Sequence, residues 1–329
     1  RLACAEAIRS GTTTMVDPLR HVADYAPAMV DTGMRLWLAE SCADAVTTEV
    51  GSGTYRFDRE FGETFLTRTR ALIERFHGTE DDRVRVMISA HAPDNCSPWM
   101  LAELKKLAGQ HGLRRTVHLS QIISEKKQVE SLHSCTSTEY LQRNDFLGDD
   151  LLAVHWTFCT EQDVQILAET GTHFAHCPAS MSAKGPHSLP IKAILESGVN
   201  IALGTDNMTE DMFHAMKLGL TVHRGAYGRS VTPTPNDVFN YATVNAARAL
   251  DHPGIGHIAP GMKADLAMID LMTPAMTPRL SAISNLVHYG HPGLVTDTMV
   301  DGRFLMRDRE LLTIDEKAAV TEAQAATEA

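Results

Sequence analysis

At 329 residues the chain is long for one simple domain and suits a large α/β unit with an appendage. Its 43% hydrophobic and 22% charged residues are the balance of a globular protein that buries a sizeable core without staples. A formal net charge of -11 without basic clusters argues against nucleic acid or anionic membrane as a partner, and no apolar run reaches the roughly 20 residues a membrane span needs. Cys4, Cys42, Cys96, Cys135, Cys159 and Cys177 form no CxxC pair, which reads as reduced, buried thiols of a cytoplasmic protein.

The chain opens on Arg1-Leu2-Ala3-Cys4, inside an amphipathic helix over 2–10, with neither an initiator Met nor a signal peptide, and is expected to be a fragment. From there short apolar runs alternate with helix-period stretches. Strands are expected over 13–17, 35–39, 84–88, 115–118, 151–155, 172–177 and 199–203. Helices are expected from Pro18 to about 33, then over 59–77, 98–109 with a glycine stop, 122–144, 160–171 with Thr160 as the cap, 189–198, 210–225 and 235–250. Such alternation implies βαβ units and a parallel sheet. Met208, Met212 and Met216 repeat every four residues and suggest a core stripe. After about residue 255 Gly and Pro become frequent, and β-like runs at 265–269, 285–288 and 295–300 suggest a small β domain followed by a polar helix, its Ala/Glu-rich end at 318–329 fraying.

Four polar residues stand where apolar strands end: His91, His118, His155 and Asp206. Parallel strands bring such ends to one face, where active sites gather. Neutral imidazole and carboxylate are suitable ligands for zinc or iron. A bound divalent ion would make water nucleophilic near neutral pH, and a further His or carboxylate would carry its proton to a leaving amine.

Several segments together carry a resemblance. They are Ser10-Gly11-Thr12-Thr13-Thr14, His91-Ala92-Pro93, Val117-His118-Leu119, Ala153-Val154-His155-Trp156, Ala175-His176-Cys177-Pro178-Ala179-Ser180, Gly204-Thr205-Asp206-Asn207 and the stretch over 242–250. Gly254-Ile255-Gly256, Gly261-Met262-Lys263-Ala264-Asp265-Leu266 and Val300-Asp301-Gly302-Arg303 follow in the same order. In combination they resemble the aminohydrolase and chlorohydrolase group of the amidohydrolase superfamily over nearly the whole chain. The resemblance implies a (β/α)8 TIM-like barrel lacking its first strand over 1–254, with 255–329 as the C-terminal part of a small β-sandwich domain plus a terminal helix. It implies one divalent metal, zinc or iron, with His118 and Asp206 as ligands. His155 and Asp206 would handle protons. His91, Glu125, His176 and Asn207 are the candidate substrate contacts.

This sequence departs from the family pattern in three places. The His-x-His ligand pair of the first strand is absent. Gln121 stands where a glutamate shuttle is usual, and an amide cannot carry a proton at neutral pH. Met181 stands where Asn is common. The expected function is hydrolysis of a C–N bond on a nitrogen heterocycle, a small-molecule substrate, by a homo-oligomer in the cytoplasm. The alternative is a non-catalytic barrel serving as a binding or assembly subunit.

Overall fold

The computed structural model describes residues 1–185, 187–227 and 233–328. Nine short parallel strands make up the first part: β1 (Thr14–Asp17), β2 (Arg35–Leu38), β3 (Ser41–Cys42), β4 (Val84–Val86), β5 (Ile88–Ala90), β6 (Arg115–Leu119), β7 (Leu151–His155), β8 (His173–His176) and β9 (Ile201–Leu203). They pair in the orders β1-β2-β4 and β3-β5-β6-β7-β8-β9. β2 and β3 are successive pieces of one strand position, as are β4 and β5, and the Met87 N–H bridges the break by donating to the Leu38 carbonyl at 2.9 Å. The nine pieces therefore fill the seven strand positions expected from the apolar runs.

Side-chain alternation divides the row into two packed faces. Leu36, Leu38, Val117, Leu119, Phe174 and Leu203 point toward the helices and join the large core. Trp37, Ala39, Met87, Leu152, Ala175 and Ala202 form a second cluster on the other face, with Val16 and Val154 packed against it. Val16 of β1 and Ala202 of β9 sit at opposite ends of the row yet share this cluster, so the row curls. Bonds from Ser10 Oγ to the Glu210 carbonyl and from Thr209 Oγ1 to Glu6, both 2.8 Å, also bring its two ends together.

Local signals set the helices. Thr160 and Asp163 form a capping box before the helix Glu161–Thr170, which stops at Gly171 in the left-handed conformation. Several boundaries differ from the sequence expectation. The helix Pro98–His111 runs past Gly109 and stops at Gly112, the glycine with a positive φ of 62°. The stretch over 122–144 is two helices, Ile123–His133 and Ser137–Arg143, because Ser134 turns left-handed and Thr136 with Glu139 caps a new start. The stretch over 235–250 is likewise two, Pro235–Tyr241 and Val244–Ala249, parted at Thr243. Met208 is 49% exposed and precedes the helix Met212–Tyr227, so the methionines form no single stripe.

The C-terminal part is a four-stranded antiparallel sheet of β10 (Leu266–Ile269), β11 (Val295–Val300), β12 (Arg303–Arg307) and β13 (Glu310–Leu311). Residues 285–288, expected as a strand, lie inside the helix Ala282–Tyr289, whose start Ser281 caps. The Ala/Glu-rich end is helical over Glu316–Glu328, started by Asp315 and anchored by buried Ala319. This sheet shares the large core, through Val295, Val300 and Leu305 among others.

Arg35 ties the two parts together from a fully buried position. Its guanidinium grips Asp265 with two bonds, 2.6 and 2.9 Å, and reaches Asp301 at 2.8 Å. Removing one member of a buried ion pair leaves an uncompensated charge and costs about 3–5 kcal/mol. Arg35→Ala should therefore lower unfolding stability in urea by that order. Arg9→Ala, which breaks the more exposed pair with Glu316, should cost about 1 kcal/mol or less. Equal losses for the two variants would show that Arg35 is not the anchor.

His176 and His223 join the helix Met212–Tyr227 to the sheet. Alternation puts His176 on the helix-facing side, with its ring against Phe174 and its Nε2 3.1 Å from that of His223. No acid is among the charges acting on either ring. Burial holds His176 well below the ordinary histidine range and takes His223 down to about 4, with His187 adding to the effect. An imidazole whose folded pKa is lowered binds fewer protons than the unfolded chain between that value and about 6.5. Stability should therefore fall as pH drops through that window. His223→Phe should make the fall shallower in urea unfolding between pH 6.5 and 4, and an unchanged slope would contradict this.

Candidate functional site

Register brings the strand-end residues together. Ala90 pairs with Val117, so His91 and His118 follow each other on the same face, the face opposite the helix-packed core. Their rings lie 5.2 Å apart. His155 is different. It pairs with Leu119, and simple alternation would turn it toward the helices. Instead it takes a φ of 78°, and its ring stacks on His118 at 5.5 Å. Positive φ is uncommon for a non-glycine residue and marks strain held by the surroundings. Ser120, Trp156 and Asp206 share it, so the chain leaves β6, β7 and β9 through left-handed turns at the same end of the row.

The hydrogen bonds orient these groups. The His118 ring donates through Nδ1 to the His91 carbonyl at 2.7 Å, which leaves its Nε2 lone pair free. His91 Nδ1 is bonded to Ser41 Oγ at 3.0 Å. His155 Nε2 is buried without a hydrogen-bond partner and lies 4.0 Å from Asp206 Oδ2. Asp206 Oδ1 accepts the Asn207 N–H at 2.8 Å, and Lys184 Nζ stands 3.4 Å from Oδ2.

Electrostatics keep the rings neutral and the acid ionised. Burial takes His91 and His155 each down to about 3, with His118 adding to both shifts, and burial also lowers His118. Burial alone would raise Asp206, but the Ser180 hydroxyl, His155, the Asn207 N–H and Lys184 together hold it below the usual carboxylate value. Neutral imidazole beside carboxylate is the protonation state that metal binding requires. His118, with its other ring nitrogen committed to a carbonyl, has the usual orientation of a metal-bound histidine. The orphaned His155 Nε2 also fits a site that expects another polar group. His118 and Asp206 thus fit as ligands, although among the described residues no group of three or more His, Cys, Asp or Glu side chains is arranged to hold an ion.

The other expected residues stand as follows. Gln121 follows the β6 turn, and its N–H donates to Glu125. Glu125 is fully buried, with both carboxylate oxygens taken by backbone N–H groups. Burial pushes its carboxyl up to about 8, with Asp94 adding and the two N–H donors opposing. His176 contacts Phe174 and His223 rather than the strand-end histidines. Asn207 is exposed beside Asp206. Lys184 and Ser180 were not anticipated. Lys184 Nζ reaches Ser180 Oγ at 2.7 Å as well as Asp206. The four-residue spacing of Ser180 and Lys184, one helical turn, was the available signal.

Comparisons with known proteins identify the family. The model of the amidohydrolase family matches residues 1–305. The 5'-deoxyadenosine deaminase of Methanosphaera stadtmanae is 32% identical, an alignment covering 100% of this chain and 75% of that protein. The 5-methylthioadenosine/S-adenosylhomocysteine deaminase of Thermococcus onnurineus is 35% identical over 94% of this chain and 71% of its own length. Among solved structures, an adenosine deaminase from Xanthomonas campestris with bound zinc superposes with a TM-score of 0.89 at 24% identity, covering 99% of this chain and 73% of that one. The zinc complex of atrazine chlorohydrolase from Arthrobacter aurescens gives 0.85 at 19% identity, covering 98% and 75%. The chain thus spans about three quarters of the proteins it matches, and among its described residues no helix is long and apolar enough to cross a membrane. The chain therefore belongs to the amidohydrolase family and is a hydrolase of C–N bonds in its deaminase group.

Proposed function

We propose that the protein deaminates an adenosine-type purine nucleoside modified at the 5' position. The observation that carries this reading is the meeting of His118, His155 and Asp206 at one end of the row in a chain about one third identical to deaminases of such nucleosides. The parallel row is read as a (β/α)8 barrel with one further strand between β9 and β1. The curl of the row and the bonds joining its two ends support that reading.

His118 through Nε2 and Asp206 through a carboxylate oxygen would hold one divalent metal, with zinc the first choice. When bound, such an ion acts as a Lewis acid and makes water nucleophilic near pH 7. The reaction replaces the ring amine with oxygen: one C–O bond forms, one C–N bond breaks, and of water's two protons one completes the leaving ammonia and the other ends on the adjacent ring nitrogen. Asp206 accepts a proton from the water, and His155, 4.0 Å away, exchanges it and orients the attacking group. His91 and Asn207 contact the heterocycle. Gln121 offers a hydrogen bond there but no proton.

Ammonia release from 5'-deoxyadenosine by the intact, zinc-loaded protein tests the reading. No release from any adenosine-type substrate would return the alternative of a non-catalytic subunit, which rests on Gln121 alone. If protons run through His155 and Asp206, His155→Asn should lower turnover by about 10²–10⁴-fold, the usual contribution of a general acid–base group. Gln121→Glu should leave turnover similar or raise it, because the nearby cation would keep the new carboxylate ionised. Rates for both variants across pH 5 to 9 check this. A His155→Asn enzyme near wild type would make His155 structural.

A further inference from the structure

Glu125 is 2% exposed and has no part in the proton path described above. It lies in the first turn of the helix Ile123–His133, and its side chain turns back toward the end of β6. Oε1 accepts the Ser120 N–H and Oε2 accepts the Gln121 N–H, both at 2.7 Å. These two residues carry the chain out of β6, Ser120 with a φ of 49°. One carboxyl group therefore grips two successive amides of a left-handed turn, with one acceptor oxygen for each N–H.

The grip is kept at electrostatic expense. Glu125 is buried, and Asp94, on the turn after β5, opposes its charge. Asp94 is itself buried and accepts the Tyr55 hydroxyl at 2.8 Å. No cation is paired with Glu125 among the described residues, and the two N–H groups, together with the Ser137 hydroxyl, oppose the upward shift of its carboxyl. With both oxygens occupied and the side chain enclosed, Glu125 does not reach a substrate. Its effect on the site passes through the peptide that joins Ser120 to Gln121, because rotating that peptide redirects the Cα–Cβ bond of Gln121.

We propose that Glu125 is a positioning residue: by holding the Ser120 and Gln121 amides it sets the direction in which the Gln121 side chain leaves the β6 turn and meets the substrate. The inference rests on reading this end of the row as the deaminase site.

Glu125→Gln replaces one acceptor oxygen with an NH2 that faces a backbone N–H. Glu125→Asp, the milder change, keeps the carboxyl but reaches less far. Hydrogen exchange of the segment around residues 118–122 gives a readout that needs no activity. The Ser120 and Gln121 amides should be protected in the wild type and exchange faster in both variants, while distant segments stay unchanged. Unchanged local exchange would overturn the proposal, whether or not the protein deaminates anything. In the intact zinc-loaded enzyme, Glu125→Gln should lower kcat on 5'-deoxyadenosine by about 10²-fold, the scale of a small misplacement near the chemistry. In a Gln121→Ala background the same change should cost little, since no side chain remains to be aimed. An equal loss in both backgrounds would show that Glu125 serves the fold or His118 instead, and would overturn the proposal. A wild type that releases no ammonia defeats the deaminase reading, and the exchange experiment then decides on Glu125 by itself.

Discussion

The parallel register of β5, β6 and β7 is the constraint on which the rest depends. Pairing Ala90 with Val117 sets His91 and His118 side by side, and pairing Val117 with Ala153 brings the end of β7 next to them. A slip of one residue would turn every side chain of a strand to the other face, sending His118 into the helix-packed core and Leu119 toward the site. The two separate apolar clusters resist such a slip, because each strand offers residues fitted to both faces. Register alone does not bring His155 in. Its positive φ does, and the buried packing of Trp156 next to it holds the turn. The indole is fully buried and donates to Thr138 Oγ1 at 3.1 Å.

Burial then sets the chemistry. The strand-end histidines stay neutral because burial disfavours their charged form, with His118 adding to the effect on His91 and His155, whereas Asp206 stays ionised because donors surround it. Lys184 beside Asp206 supplies positive charge at the carboxylate proposed as a metal ligand. The same burial acts on His176 and His223 on the other face of the sheet, where among the described residues no acid compensates them. Two groups of histidines are thus both lowered by burial, but only the strand-end group has an acid beside it. What separates them is the side of the strand on which each residue falls.

Most of the fold was legible in the sequence because apolar runs, caps and glycine stops are local. Seven strand positions followed from the alternation of apolar and helix-period stretches, and Thr160 and Gly171 bounded their helix as expected. His91, His118, His155 and Asp206 were legible because each follows an apolar run. The rest depended on contacts between distant segments. The period of residues 122–144 carried no mark of the left-handed Ser134 that splits the helix. Residues 285–288 are apolar enough for a strand, but the Ser281 cap and packing made them helical. His176 looked like a site residue because it ends a strand like the others. Only alternation relative to Ala175, and a partner 47 positions away, put it on the helix side. Glu125 could be found through the family resemblance, one helical turn after Gln121, but not its grip on two amides.

The central claim is that His118 and Asp206 hold the metal beside His155. An anomalous-diffraction map at the zinc edge, from crystals of the intact zinc-loaded protein, tests it most directly. The account predicts a peak at about 2.0–2.2 Å from both His118 Nε2 and an Asp206 carboxylate oxygen, with the His155 ring alongside. A zinc peak that touches neither residue, or one lodged between His176 and His223 with none at His118, would contradict it.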